Sequence, residues 1–258
     1  MRAVEKNSDY VEVFGSPVST QPMEEILASL ERSLLAQQQT LLSYVNVHVC
    51  MTARNEPQLH SVLHRSDFVL ADGIPIVWFV RWKYGIRLRK TAVSDFLPGV
   101  FEIAAKRDQS VLILGASDEA RNSIAQLCRQ RFPKLRLRTE SFDLRRDSPE
   151  EKAAIIAQEQ SDILLLCFGV PAQEIFYQRF ADNISSRLVM MCGNAIEVMS
   201  GAKNRAPRWT RMSGFEWAWR LAHDPRRLFG RYLRTNAAFI LLVIKEFLRG
   251  LVMKSDAS

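Results

Sequence analysis

The stretch Leu70-Ala71-Asp72-Gly73-Ile74-Pro75 marks the point where a strand ends and a helix begins. The apolar run of residues 68–70 predicts the end of a buried strand, and Gly73 permits the sharp turn that follows it. Asp72 therefore leaves the carboxyl end of a strand, where sheets that alternate with helices bind their ligands. We predict that Asp72 is a reactive carboxylate. The alternative is that it only caps the next helix, because aspartate is a favoured N-cap residue.

The rest of the chain repeats this alternation of strand and helix. Apolar or alternating runs predict strands near residues 11–14, 41–50, 68–70, 111–117, 135–142, 162–168 and 188–192. Segments with helical patterning separate them, at residues 22–37, 57–64, 74–84, 96–106, 118–132 and 149–160, with a further helix after Gly169. This order predicts an α/β fold with a Rossmann-like, mostly parallel sheet and helices on both of its faces.

A set of small and polar residues falls at or just beyond the carboxyl ends of the predicted strands. Ligands of such sheets collect at this edge, so we expect a binding site there, formed by Asn46, Asp72, Gly115, Gly169, Gln173 and Gly193. His48 also falls late in a predicted strand, and we interpret it as a hydrogen-bonded core residue.

Composition limits the class of protein. The chain has 258 residues, of which 47% are hydrophobic, enough for a proper core. Its four cysteines form no Cys-x-x-Cys pair, and we interpret them as reduced thiols of a cytoplasmic protein rather than zinc ligands. Residues 1–10 are polar and charged, which is not typical of a signal peptide.

Positive charge is concentrated in the last 58 residues. Residues 201–258 contain 12 Lys and Arg against 4 Asp and Glu, whereas residues 1–200 contain 23 against 24. This asymmetry predicts a polyanionic partner surface. We therefore divide the chain into an α/β domain, residues 1–200, and a basic, aromatic-rich helical appendage, residues 201–258.

Asp224-Pro225 is a typical helix start, and the helix is expected to extend to about Met253. Its apolar run, residues 237–244, is much shorter than the roughly 20 residues that span a bilayer. A helix rich in arginine and aromatic residues fits the surface of an anionic membrane better. The alternatives are a helix packed on the core with a solvated basic face, or a nucleic-acid-binding patch.

A second basic cluster, Arg87-Leu88-Arg89-Lys90, follows the helix predicted at residues 74–84. It is either a solvated loop or a contact for a diphosphate, since cations compensate the charge of a phosphate leaving group. Ser94-Asp95 directly follows it and is expected to cap the helix at residues 96–106.

Several short motifs occur in a fixed order along the chain. They are Asn46, Ala71-Asp72-Gly73, Ser94-Asp95, Leu114-Gly115 with Phe132-Pro133, Phe168-Gly169-Val170-Pro171-Ala172-Gln173-Glu174, Ser200-Gly201, Arg205-Ala206-Pro207, Glu216-Trp217 with Arg220-Leu221, and Asp224-Pro225-Arg226-Arg227. Through this ordered set the chain, from about residue 46 to residue 234, resembles the WecG/TagA/CpsF family of bacterial glycosyltransferases.

The resemblance implies an inverting, metal-independent enzyme that needs no cofactor. Its partners would be a UDP-sugar, a sugar acceptor linked to a polyprenyl diphosphate, and the cytoplasmic face of the bacterial inner membrane, bound peripherally; a homo-oligomer is possible and nucleic acid is not expected. It implies that Asp72 is the base. The implied substrate-binding residues are Asn46, Gly73, Lys90, Ser94, Asp95, Gly115, Gly169, Pro171, Gln173 and Glu174. Those implied for the lipid diphosphate and membrane are Arg205, Arg220, Arg226, Arg227 and Arg231.

The chain departs from the family pattern around the expected donor pocket. The family usually has Asn-x-Glu where this chain has Asn46-Val47-His48, threonine in place of Tyr44, and arginine in place of Lys90. These changes leave the sugar open between glucose, N-acetylmannosamine and its uronic acid. An exopolysaccharide glucosyltransferase of the xanthan kind is one candidate. The alternatives outside this family are a Rossmann-type nucleotide-binding oxidoreductase and a nucleic-acid-binding protein with a basic tail.

Overall fold

A computed structural model describes residues 9–255, without the side chains of Arg208, Met212, Arg227, Arg231 and residues 250–255. Eight strands are described: β1 Tyr10–Val13, β2 Ser16–Ser19, β3 Thr40–Val45, β4 Phe68–Ala71, β5 Ser110–Gly115, β6 Arg136–Glu140, β7 Ile163–Cys167 and β8 Leu188–Met191. The helices are α1 Met23–Leu35, α2 Val47–Ala53, α3 Pro57–Arg65, α4 Ile74–Tyr84, α5 Val93–Lys106, α6 Asp118–Arg131, α7 Pro149–Glu159, α8 Ala172–Phe180, α9 Ala195–Met199, α10 Arg208–Met212, α11 Glu216–His223 and α12 Pro225–Ser255, with a short 3₁₀ helix at Ala181–Asn183.

Six of the strands form one parallel sheet in the order β4-β3-β8-β7-β5-β6. Strands β3, β7 and β8 are buried along their whole length, as expected for a sheet that is covered on both faces. The helices form two groups that pack among themselves: α1, α5, α6 and α9 in one, and α2, α3, α8 and α12 in the other. The predicted fold, an α/β sheet flanked by helices and followed by C-terminal helices, is confirmed.

The free edge of β4 is covered by a hairpin that the sequence only half predicted. Strand β1 matches the predicted strand near residue 11, but its antiparallel partner β2 was not predicted. The amide of Val69 in β4 donates to the Ser19 hydroxyl oxygen of β2 at 2.8 Å. An unpaired edge invites association with other chains, so the hairpin protects the sheet.

The prediction of a strand at residues 41–50 was wrong in its second half. Strand β3 ends at Val45, and Asn46 begins α2 by accepting a hydrogen bond from the Val49 amide on its side-chain oxygen, at 3.0 Å. His48 consequently lies in the first turn of a helix rather than inside the sheet. The run Val47-His48-Val49-Cys50 is apolar and β-branched, so periodicity alone did not separate helix from strand.

Helix α5 begins earlier than predicted. Its N-cap is Ala92, and no side chain caps it, so the expected capping by Ser94 and Asp95 was wrong. Both residues lie within the first turn of the helix. This leaves the carboxylate of Asp95 free for other partners.

The appendage lies against the α/β core. Phe239 of α12 is buried and its ring packs edge-on against Phe14 at 5.4 Å between centroids, with Phe79 close by at 6.3 Å. An ion pair of 2.9 Å between Lys83 and Glu246 ties α4 to α12. Within residues 9–255, no helix is both long and apolar enough to cross a membrane. The separation into domains at residue 200 stays a prediction.

Candidate active site

Asp72 stands at the carboxyl end of β4, as the sequence predicted. Its amide donates to the Val45 carbonyl at 2.9 Å, which holds the turn against β3. The N-cap of α4 is Gly73, at φ +140°, and the helix start has no side-chain cap, so Asp72 does not serve as its cap. The carboxylate is half-buried. A role of Asp72 as a helix cap is therefore excluded, and its side chain remains available for chemistry.

The environment of Asp72 favours its protonated form more than water does. Burial raises the pKa of this carboxyl from 3.8 to about 6, while Lys90 lowers it, Glu216 raises it and Arg220 lowers it. A carboxylate of this kind is ionised near neutral pH but accepts a proton more readily than an exposed aspartate. This is the property that a general base needs.

Three charged side chains form a cluster beside Asp72. Glu216 of α11 pairs with Lys90, and its Oε1 accepts two hydrogen bonds from Arg220, at 2.6 and 3.1 Å. Burial by itself would raise the pKa of Glu216, but Arg220 and Lys90 outweigh burial and lower it. We call Lys90, Glu216 and Arg220 the ion cluster. It brings the first helices of the appendage over the carboxyl edge of the sheet.

A second set of ion pairs fastens the appendage to α5. Asp95 pairs with Arg205 and, at 3.8 Å, with Arg211. Arg205 is exposed, so this pair by itself contributes little to stability. Arg211 also donates to the Ala206 carbonyl at 3.1 Å, which orders the segment before α10.

Asn46 and Gly73 lie next to each other, although they follow different strands. A Cβ built on Gly73 would stand 3.6 Å from Asn46 Cβ. Because β3 and β4 are neighbours, the two turns meet at one edge, and Asn46 lies directly beside the turn that carries Asp72.

Gln173 and Glu174 lie at the start of α8 and are buried. The Gln173 side-chain oxygen accepts from the Gly193 amide at 2.9 Å, and its nitrogen donates to Glu174 Oε1 at 2.8 Å. Burial raises the pKa of Glu174 to about 7, while the bond from Gln173 lowers it. Glu174 Oε2 has no hydrogen-bond partner in the described part of the chain. In this structure both side chains therefore contact protein.

The other predicted residues are spread along the same edge. Gly115 is the last residue of β5, which is four strands from β4, or about 19 Å at the usual strand spacing. Gly169 and Pro171 form the turn between β7 and α8, and Ser94 is half-buried in α5. Arg226 is exposed in the first turn of α12, and the side chains of Arg227 and Arg231 lie outside the described part. The site thus gathers Asp72, Gly73, Asn46, Lys90 and Arg220, with Gly115 further away.

A cavity of about 610 Å³ lies at the opposite edge of the sheet, at the amino ends of β5, β6 and β7. Its arginines are paired: Arg138 with Glu159, and Arg136 with Asp162 at 3.9 Å. It contains no predicted site residue. Among the described residues, no group of three His, Cys, Asp or Glu side chains could hold a metal ion.

Two residues at this edge were not predicted as site residues. Glu216 entered the sequence analysis only through the Glu216-Trp217 motif. Its partner Lys90 is 126 positions away in the sequence. Tyr44 was noted only as a departure from a pattern, yet it is buried at the end of β3 between β4 and β8. A polar residue in the penultimate position of a buried strand was the available signal for Tyr44.

A parallel α/β sheet with a base-like carboxylate at its carboxyl edge, faced by cations, is typical of a group-transfer enzyme. The model of the glycosyl transferase WecG/TagA/CpsF family matches residues 11–252, and the chain belongs to this family. The protein is thus a glycosyltransferase, as the leading interpretation of the sequence predicted. The predicted family is confirmed.

A curated relative extends this comparison. The chain is 24% identical over 206 residues to an N-acetylglucosaminyldiphosphoundecaprenol N-acetyl-beta-D-mannosaminyltransferase of Bacillus subtilis (strain 168). The match covers 80% of this chain and 79% of the relative. The two proteins are therefore similar along most of their length.

Proposed function

We propose that the protein transfers a hexosyl group from a UDP-sugar to a sugar linked through diphosphate to a polyprenol, in the synthesis of a bacterial surface or extracellular polysaccharide. The observation that carries this proposal is the position of Asp72, a carboxylate with a raised pKa at the carboxyl edge of the sheet, beside Lys90 and Arg220. The name of the Bacillus subtilis relative gives the same acceptor class.

Asp72 would act as the general base. It takes the proton of the acceptor hydroxyl as that oxygen attacks the anomeric carbon, and the bond from this carbon to UDP breaks with the electron pair leaving on UDP. A single displacement of this kind inverts the anomeric configuration. Asn46, whose Cβ lies beside the Asp72 turn, would orient the reacting groups.

The cations of the ion cluster would offset the charge that develops on the departing diphosphate. Lys90 is mostly enclosed and Arg220 is half-buried, so their charges are less screened than those of surface side chains. A guanidinium can bind two phosphate oxygens at once. We therefore propose that these side chains supply the charge compensation for which other transferases use a metal ion.

Helix α12 presents the surface that we propose for the membrane. Among its described side chains, the exposed large apolar ones are Phe229, Leu233, Ile240, Leu241, Ile244, Phe247 and Leu248. At about 100° per residue they fall within a stripe of about 120°, and Arg234, Lys245 and Arg249 lie along one side of it. Leu228 and Phe239, which are buried, fall on the opposite side.

We call these seven residues the apolar stripe. Trp82 of α4 continues it, with its ring centroid 6.0 Å from that of Phe247. An apolar face bordered by cations is typical of a helix that lies in the headgroup region. We propose that the stripe holds the enzyme peripherally on the cytoplasmic face of the inner membrane, where a polyprenyl-linked acceptor is available.

The test is transfer by the purified protein from a panel of UDP-sugars to a polyprenyl-diphosphate-linked sugar, with the product identified by mass spectrometry and its anomeric configuration by NMR. The panel contains UDP-glucose, UDP-N-acetylmannosamine and the corresponding uronic acid. We expect one inverted product, unaffected by EDTA, and a rate of transfer at least about a hundredfold lower with Asp72→Asn. Asp118→Asn is the matched control, because Asp118 is exposed at the start of α6. Absence of product with every UDP-sugar, or full activity of Asp72→Asn, would refute the proposal.

A further inference from the structure

Tyr44 is the penultimate residue of β3 and reaches across the carboxyl edge of the sheet. Its side chain is 8% exposed. The hydroxyl oxygen stands 2.4 Å from the position that a Cβ would occupy on Gly193, in the turn after β8. No side chain fits in that space, so residue 193 must be glycine for the tyrosine ring to lie where it does.

The turn that contains Gly193, next to the Tyr44 ring, is held by hydrogen bonds to α8. The Gly193 amide donates to Gln173, which in turn donates to Glu174. Both residues of this relay are buried in the first turn of α8. The ring of Tyr44 therefore rests on a turn whose position is set by two hydrogen bonds.

The hydroxyl of Tyr44 is a donor without a partner. It makes no hydrogen bond within the described part of the chain, although most polar groups of enclosed residues have a partner. Burial raises the pKa of Tyr44 well above its usual value, and the negative charges of Glu174 and Asp72 raise it further, while Arg220 lowers it. The hydroxyl therefore keeps its proton, and it lies in the field of the residue that we propose as the base.

We propose that the Tyr44 hydroxyl donates a hydrogen bond to a hydroxyl of the sugar carried by the nucleotide donor and so helps to select that sugar. This inference rests on the proposed function. The surroundings of Tyr44 favour a neutral sugar hydroxyl over phosphate, because the carboxylates of Glu174 and Asp72 act on it more strongly than the single cation there, Arg220. A site that hydrogen-bonds a substrate hydroxyl discriminates strongly against analogues without that group.

Tyr44→Phe removes the hydroxyl and keeps the ring on Gly193. With the UDP-sugar that the wild type uses, kcat/KM is expected to fall by about tenfold or more. The same measurement is made with the 2-, 3-, 4- and 6-deoxy forms of that donor. For one of them the wild type and Tyr44→Phe should give equal kcat/KM, because the hydrogen bond is then absent from both.

Tyr84→Phe is the matched control, since the Tyr84 hydroxyl donates to the Glu12 carbonyl at 2.6 Å, at the end of α4. It should leave the donor preference unchanged. Gly193→Ala, which displaces the ring, should lower kcat/KM for the full donor as Tyr44→Phe does. Two results with a Tyr44→Phe variant that is folded by circular dichroism would overturn the assignment while the proposed function stands. In one, its kcat/KM is lower than that of the wild type by the same factor with every deoxy donor; in the other, its kcat/KM equals that of the wild type throughout. If the wild type uses no UDP-sugar, both proposals fail.

Discussion

Replacing Asp72 by asparagine separates activity from stability at the same position. Asparagine has a similar shape but cannot accept the proton of the acceptor hydroxyl. Loss of a general base costs about 10²- to 10⁴-fold in rate, so we expect transfer by Asp72→Asn to fall by that amount. Binding of UDP, measured by calorimetry, should change little, because the cations of the ion cluster are retained.

The stability of this variant should change in the opposite direction. The pKa of Asp72 is raised from 3.8 to about 6, and this shift corresponds to about 3 kcal/mol of unfavourable free energy when the group is ionised in the folded protein. Asparagine carries no charge to bury. We therefore expect the free energy of unfolding of Asp72→Asn at pH 7.5 to exceed that of the wild type by up to about 3 kcal/mol.

The pH dependence of this difference in stability tests whether the ionisation of Asp72 is its cause. The folded wild type binds the proton of Asp72 more tightly than the unfolded chain does, so its stability rises as pH falls from above 6 towards 3.8. The advantage of asparagine should consequently shrink over this range and vanish below about pH 4. Urea unfolding at a series of pH values measures the difference in free energy of unfolding between Asp72→Asn and the wild type, with Asp118→Asn as control. An asparagine variant that is less stable at pH 7.5, with no pH-dependent difference, would refute the buried-base interpretation.

Three further predictions concern the ion cluster, the apolar stripe and the end of β5. Glu216→Gln removes a charge that raises the pKa of Asp72 while the neighbouring cations remain, so the acid limb of the kcat/KM profile should move to lower pH; an unchanged limb, or one shifted upward, would contradict this. Ile240→Asp should abolish sedimentation with anionic vesicles, whereas Leu35→Asp, equally exposed on α1, should not; equal binding by both would exclude the apolar stripe. Gly115→Ala should lower the free energy of unfolding by about 1–3 kcal/mol, because φ is +94° and the new Cβ would meet Cys167 backbone atoms at 3.1 Å; a neutral result in urea unfolding would argue against this close packing.

Local signals predicted some elements closely. Helix α4 extends over Ile74–Tyr84, the range that its apolar and aromatic pattern predicted, because Gly73 and Pro75 define its start and Gly85 its end. The position of Asp72 was predicted for the same reason. An apolar strand followed by glycine gives the end of a strand without any knowledge of its neighbours.

Where two local structures suit the same residues, the sequence did not decide between them. The residues after Val45 have the composition of a strand, but the Asn46 side chain and the contact of α2 with α12 make them a helix. Similarly, Ser94 and Asp95 are good N-cap residues. In the fold Asp95 instead pairs with Arg205 and Arg211 from the appendage, and the helix begins before it.

The sequence by itself determined the fold class, the sheet edge that carries the site, the family and the basic character of the tail, because periodicity, turn residues and ordered motifs are local properties. The tertiary structure decided which of the polar residues meet. The strand order places Asp72 beside Asn46 and far from Gly115, the return of the appendage brings Glu216 to Lys90, and the packing of β3 beside β8 sets Tyr44 on Gly193. These contacts join segments that are far apart in the sequence. They depend on tertiary packing, which leaves no periodic pattern in the sequence.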